Sequence, residues 1–286
     1  MKLTRLVGLL LALAMVAAAC GGGDDDGATG GDAACGSVGD LDLKVDGKLT
    51  VATGEPVFPP WMIEDDPTNQ QGFESAIVYA VAEQMGFGAD DVDWVRTGFD
   101  EAIAPGPKDY DFNIQQFSIT PEREEIVDFS EGYYIAEQAV ITAADSPFNG
   151  ATSVADLKDA VLGAAIGTIS LDYIEGVIDP TTAPPVFNDS SAATAAYEAG
   201  QIDGLVVDLP TAFFLVAVQF EDAAIIGVLP RVGGGEPEQL GMLFEDGSGL
   251  VECVNEALRT LHGNGAIEAI EDEWLTDGGD IPSLSE

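Results

Sequence analysis

Positive charge is scarce in this chain. Its 286 residues hold 10 Lys and Arg and one histidine against 51 Asp and Glu, a formal net charge of −41 at pH 7. Nucleic-acid binding needs basic side chains that neutralise phosphates, so that role is excluded on electrostatic grounds. The single histidine, His262, stands just before Gly263 at the end of an expected helix, which leaves no basis for Ser-His-Asp or Cys-His catalysis. Cysteine is limited to three residues, and no C-x-x-C, H-E-x-x-H or G-x-x-x-x-G-K-[ST] pattern occurs. A D-x-D-x-D-G calcium loop is missing too, since Asp24–Asp26 lack the ligands that should follow. No metal and no cofactor is therefore expected. Past residue 20 there is no run long and apolar enough to cross a bilayer. The acid excess speaks of solvent: it raises solubility and self-repulsion, and suits salty surroundings or an acid-rich proteome equally well.

What is present begins with a leader. Lys2 and Arg5 precede an apolar run from Leu6 to Ala19 that ends in small residues before Cys20. The run is short for a span and has the form of a cleaved signal. Residues 17–20, Ala-Ala-Ala-Cys, look like a lipobox with Ala17 in the usual leucine position, so Cys20 is the expected lipidation site and mature N-terminus. The alternative is an ordinary secretory leader with an incidental cysteine. Residues 21–34 contain nothing apolar larger than alanine and read as a flexible tether of roughly 20 Å, a segment expected to run on to residue 44. One acyl chain would hold only weakly, so stable anchoring needs more than one. Cys35 and Cys253 remain. In an exported chain two such cysteines are expected as a disulfide rather than a metal site or nucleophile pair, the alternative being a buried free thiol.

The rest alternates strand and helix. Strands are expected at Leu49–Thr53, Asp93–Arg96, Asp111–Ile114, Gln138–Thr142, Val161–Ile166, Gly204–Val207, Ala224–Val228 and Glu238–Phe244. Helices are expected at Phe73–Met85, Phe99–Ala104, from Ser170, Ser190–Ala199, Pro210–Gln219, Leu250–Leu261 and Ala266–Trp274, with a capped turn at Ser153–Lys158. This alternation argues for an α/β architecture with mostly parallel sheets.

The segment Asp111–Tyr134, DFNIQQFSITPEREEIVDFSEGYY, sets Arg123 beside Ser118 and Thr120 at a Pro-capped turn. A guanidinium meets a carboxylate as a planar fork, and hydroxyls and helix-start N–H groups complete an anion site. The alternative is a surface partner for Glu122, Glu124 or Glu125. The segment resembles the SITPER…VDFS.PYY signature of the bacterial extracellular solute-binding proteins, family 3, which serve ABC importers for polar amino acids. The resemblance runs from about Leu49 to about Leu275 through TGEPVFPPW, GFESAIVYAVAEQMG, IGTIS, GLVVDLPTAFF and GNGAIEAIEDEW.

The resemblance implies a two-lobed fold of the type II periplasmic-binding-protein kind, joined by two crossing strands. Lobe 1 would comprise 45–141 and 229–286, and lobe 2 would comprise 142–228. Ligand would sit in the cleft at the carboxyl ends of strands. It further implies that Arg123 takes the α-carboxylate, with support from Ser118 and from the backbone at Thr168 and Ile169. Gln116 would offer its carbonyl, and Asp208 its carboxylate, to the ammonium. Locally, Asp208 follows the apolar run Leu205–Val207 and precedes Pro210, so it also reads as a helix cap; the two roles can coexist. Phe58 and Phe99 would sandwich the ligand side chain, while Trp61 is expected in the lobe core. Glu55 is either a partner for a guanidinium, ammonium or amide, or a solvated acid. Gln115 and Gln116 are expected to project into or beside the cleft.

The expected function is an extracytoplasmic lipoprotein, not an enzyme and acting as a monomer, that captures a polar amino acid, basic ones included, and hands it to permease subunits. The alternatives are a periplasmic cyclohexadienyl dehydratase-like enzyme on the same fold and a sensing module for a receptor. The absence of a transmembrane or kinase-like region before the chain ends soon after Ser283 favours the separate binding protein. Hinge closure on ligand would be its mechanism.

Overall fold

The computed structural model describes residues 35–231, 237–275 and 281–286. The leader, the lipidation site Cys20 and the tether as far as residue 34 lie outside the described residues.

Strand β1 (Leu49–Thr53) is buried along its whole length, the signature of a strand covered on both faces. It pairs in parallel with β2 (Val92–Arg96) on one side and β3 (Phe112–Asn113) on the other. Antiparallel β12 (Leu243–Phe244) and β4 (Asp128–Phe129) finish this first sheet, in the order β2-β1-β3-β12-β4. Helices α1 (Phe73–Gln84), α7 (Val251–Gly263) and α8 (Ala266–Trp274) cover one face. Leu49, Val51, Phe73, Ile77, Phe244 and Leu258 meet there. On the other face Ala52, Phe117 and Phe129 pack with the short helix α2 (Phe99–Ile103). Gly72 launches α1 at φ +96, and a β-carbon there would lie 2.6 Å from the Met62 Cα and the Trp61 oxygen, so only glycine fits this turn.

The second sheet runs β10-β6-β9-β7-β8. Its strands are β6 (Gln138–Ala143), β7 (Leu162–Ala165), β8 (Val186–Phe187), β9 (Gly204–Asp208) and β10 (Ala223–Val228). Period-two alternation sorts neighbours to opposite faces. Val140 and Val206 join the core under Leu162 and Ile174, while Ile141 and Leu205 join the one under Ala212 and Leu215. Helices α4 (Ile169–Tyr173), α5 (Ser190–Glu198) and α6 (Leu209–Phe214) follow β7, β8 and β9. The two sheets are linked where β5 (Tyr134–Ala136) pairs with β11 (Glu238–Leu240) just before β6 begins.

The two-lobed α/β architecture is the expected one, with four differences. Each sheet is mixed, because parallel pairing is confined to three adjacent strands and the remaining pairs are antiparallel. The single strand expected over Glu238–Phe244 is broken into β11 and β12. Gly241 donates to the Phe117 carbonyl and Met242 to the Ser130 Oγ, which turns the chain between sheets. A β-carbon at Gly241 would press on Ile119 at 2.8 Å. Residues assigned to the tether up to 44 do not all behave as one: Val38, Leu41 and Leu43 pack against the first core, and Cys35 is bonded to Cys253, the expected disulfide. The last residues belong with the second sheet rather than the first. Ser283 bridges Val228, Ser285 bridges Ser153, and Leu284 is buried in that lobe's core. No helix among the described residues is long and apolar enough to cross a membrane.

Candidate functional site

The lobes face each other across a cavity of about 330 Å³ lined from both sheets. Direct contacts close it. Trp61 Nε1 of the first lobe donates to Thr211 Oγ1 at the start of α6, 2.8 Å away. Arg123, in the short helix α3 (Pro121–Glu124), reaches the Gly167 carbonyl in the turn before α4 at 2.9 Å.

Eight of the nine residues expected at the ligand line this cavity: Glu55, Phe58, Phe99, Gln116, Ser118, Thr168, Ile169 and Asp208. Arg123 stands immediately behind the wall. Thr120 caps α3 through Arg123 N, and the guanidinium donates to the Ser118 carbonyl at 2.7 Å as well as to Gly167. Its carbon lies 5.6 Å from the centroid of Phe99, which is itself stacked on Phe117 at 4.7 Å. At 8 % exposure Arg123 is not a surface partner of Glu122, Glu124 or Glu125. Burial draws its pKa downward, while Asp172, Glu238 and Glu122 favour the charged form.

Asp208 ends β9 and caps α6, accepting from Thr211 N and from Thr211 Oγ1, each at 2.8 Å. Capping and exposure to the cavity coexist in this one carboxylate, whose pKa is raised by burial against the pull of the Thr211 bonds. Thr168 caps α4 by accepting from Leu171 N, which sets the turn that carries Ile169 to the wall. Trp61 is core, as expected, at 1 % exposure, yet it also lines the cavity and ties the lobes.

Gln116 takes the left-handed conformation, φ +50, which a non-glycine residue adopts at a cost. A buried acid holds it there. Glu74 of α1 accepts from Gln116 N at 2.8 Å, from the Gln116 side-chain amide, and from the Tyr133 hydroxyl at 2.5 Å. Full burial pushes the Glu74 carboxyl up to about 7 despite those three donors. Sequence reasoning passed over Glu74, though an acid in the first turn of an apolar helix was a visible signal.

Glu238 was missed as well. It lies in β11, lines the cavity, and accepts from Ser118 Oγ at 2.5 Å. Gln138 Nε2 stands 3.4 and 3.5 Å from its two oxygens, while Gln138 Oε1 accepts from Ser170 Oγ at 2.7 Å. Burial pushes its carboxyl up to about 7, Asp208 adds repulsion, and Arg123 partly offsets both. In the sequence Glu238 is one acid among 51, with no motif to separate it. Among the described residues no cluster of acids, cysteines or histidine is arranged to hold a metal ion.

The family model of bacterial extracellular solute-binding proteins, family 3, matches residues 49–277. The arginine-binding extracellular protein ArtP of Bacillus subtilis (strain 168) is 25 % identical over 254 residues, covering 85 % of this chain and 92 % of that protein. The L-cystine-binding protein TcyJ of Escherichia coli (strain K12) is 25 % identical over 243 residues, covering 83 % and 86 %. Among solved structures, an ancestral arginine-binding protein bound to arginine has a TM-score of 0.68 at 27 % identity, covering 80 % of this chain and 99 % of that one. Since the family match spans most of its length, the chain belongs to the bacterial extracellular solute-binding proteins, family 3.

Proposed function

We propose that this protein captures a basic amino acid between its lobes, outside the cytoplasm, and delivers it to the permease subunits of an ABC importer, tethered to the membrane by lipid on Cys20. The observation that carries the reading is the sign of the cavity wall. Glu55, Asp189, Asp208 and Glu238 line it, and among the described residues no Lys, Arg or His does. In a cleft that excludes water, carboxylates of one sign favour a ligand of the other. Asp208 would hold the α-ammonium. Arg123, fixed behind Ser118 and Phe99, would supply the positive field for the α-carboxylate with the backbone at Thr168 and Ile169. Phe58 and Phe99 would pack on the aliphatic stem, and Glu55 would meet its distal cation. The relatives support this choice: ArtP is named for arginine, and the ancestral protein was solved with arginine and also with glutamine.

A thermal-shift screen of the soluble protein against the twenty amino acids tests the reading, because a ligand bound only by the folded state raises Tm by mass action. Arginine or lysine should give the largest shift, and Asp208→Asn should remove it. No shift with any amino acid would overturn the proposal, and turnover of a cyclohexadienyl substrate would replace it with the enzyme reading.

A further inference from the structure

Two carboxylates near the cavity, Glu74 fully buried and Glu238 half-buried, are treated differently by the fold. Glu74 receives three close donors, two from Gln116 and one from Tyr133, and its work is structural. Among the described residues Glu238 receives one close donor, Ser118 Oγ, while Gln138 Nε2 stands at the outer limit of hydrogen bonding. An ionised carboxylate has about four acceptor positions, so this half-buried Glu238 keeps acceptor capacity that its described protein neighbours leave unfilled at the cavity wall. Its place is also informative. Gln138 is the strand partner of Asp208 in the pairing of β6 with β9 and the long-range donor to Glu238, so one residue brings both acids to the hinge end of the cavity. Segment 117–119 runs beside β11, with Ser118 bridged to Leu240, and fixes the Glu238 side chain from the first lobe.

We infer that Glu238 is a ligand residue: with Asp208 it forms a carboxylate pair at the hinge end of the cavity that receives the ligand's α-ammonium, Asp208 from the end of β9 in the second lobe and Glu238 from β11 in the link between the lobes. The inference rests on the amino-acid-binding reading above and adds to it a second anion that no motif supplied. An ammonium has three N–H donors, enough to serve both carboxylates at once. The groups facing Glu238 are Asp208 at the end of β9 and Arg123 in α3, with Ser118 and Gln138 as neutral partners; Glu137 beside Gln138 is exposed. Burial and Asp208 leave Glu238 titrating at about 7 before ligand arrives. A bound cation favours its ionised form, so binding expels a proton whenever Glu238 begins protonated. The sign follows: affinity is highest above pH 7 and declines as pH falls below it.

The test is calorimetric titration of the protein with L-arginine at pH 6, 7 and 8, each in two buffers of different ionisation enthalpy. The wild type should bind about tenfold more tightly at pH 8 than at pH 6, with proton release at pH 6. Glu238→Gln, which keeps an acceptor for Ser118, should lose the proton release and the pH slope, and bind about tenfold more weakly at pH 8. A purely structural Glu238 predicts neither change. A flat wild-type profile without proton release overturns the inference whether or not the variant folds, and so does an unchanged slope in a folded Glu238→Gln. If the wild type binds arginine with this flat profile, the amino-acid-binding reading survives alone; if it binds no amino acid, both fall.

Discussion

Most side chains of the site are held by a device from a near neighbour in sequence, and Gln116 by a distant one, Glu74. Thr120 caps Arg123, Thr211 bonds Asp208, Thr168 caps the turn before Ile169, and Glu74 clamps Gln116. Removing one member of a buried charged pair typically costs roughly 2–5 kcal/mol. Arg123→Ala and Asp208→Ala should therefore each weaken amino-acid binding at least tenfold in calorimetry, and unchanged affinity in both would remove this site. Glu74→Gln makes a different prediction. The folded protein keeps the Glu74 proton up to about pH 7, whereas the unfolded chain loses it near the ordinary value of 4.5. A raised carboxylate pKa costs stability as pH rises through that window, on the order of 3 kcal/mol for this shift. Urea unfolding of the ligand-free protein should show stability falling between pH 5 and 7, with a shallower fall in Glu74→Gln. Equal slopes in the two would assign the pH dependence elsewhere.

Among the elements, long amphipathic or apolar runs were legible and short ones were not. Phe73–Gln84, Val251–Gly263 and Ala266–Trp274 were readable because each presents a core face at helical spacing. The two-residue strands β4 and β8 were not, since their existence depends on the partner strand and not on any pattern of their own. The break at Gly241-Met242 depends likewise on Phe117 and Ser130, more than a hundred positions away in sequence. Eight of the nine expected site residues reach the cavity wall because the recognised blocks fall at strand ends and helix starts. Glu74 escaped because its significance is burial and Glu238 because its significance is its place on the cavity wall, neither of which composition can express in a chain with 51 acids. Gly72 tests the element scale directly. Gly72→Ala adds a β-carbon 2.6 Å from backbone at a positive φ, and should destabilise the fold by about 1–3 kcal/mol in urea titration while the ligand preference stays unchanged.

For the molecule as a whole, the segment 35–43 with its disulfide belongs to the first lobe and the final residues 283–285 to the second. Cys35 is fixed to α7 of the first lobe through Cys253, and Leu284 enters the core of the second. The bond encloses 218 residues of sequence separation, so opening it frees a long stretch of the unfolded chain. Cys253→Ser should cost about 2–5 kcal/mol of stability, measured by urea unfolding with and without reductant. A reductant-insensitive wild type would show that the bond contributes little. The proposed preference for a basic amino acid rests on charge in the cleft, where among the described residues four acids and no Lys, Arg or His line the wall. Calorimetric titration with L-arginine and L-glutamate in parallel tests it most directly. Arginine should bind saturably, one to one, and glutamate not detectably; glutamate binding as tightly as arginine would contradict a cleft built for a cation.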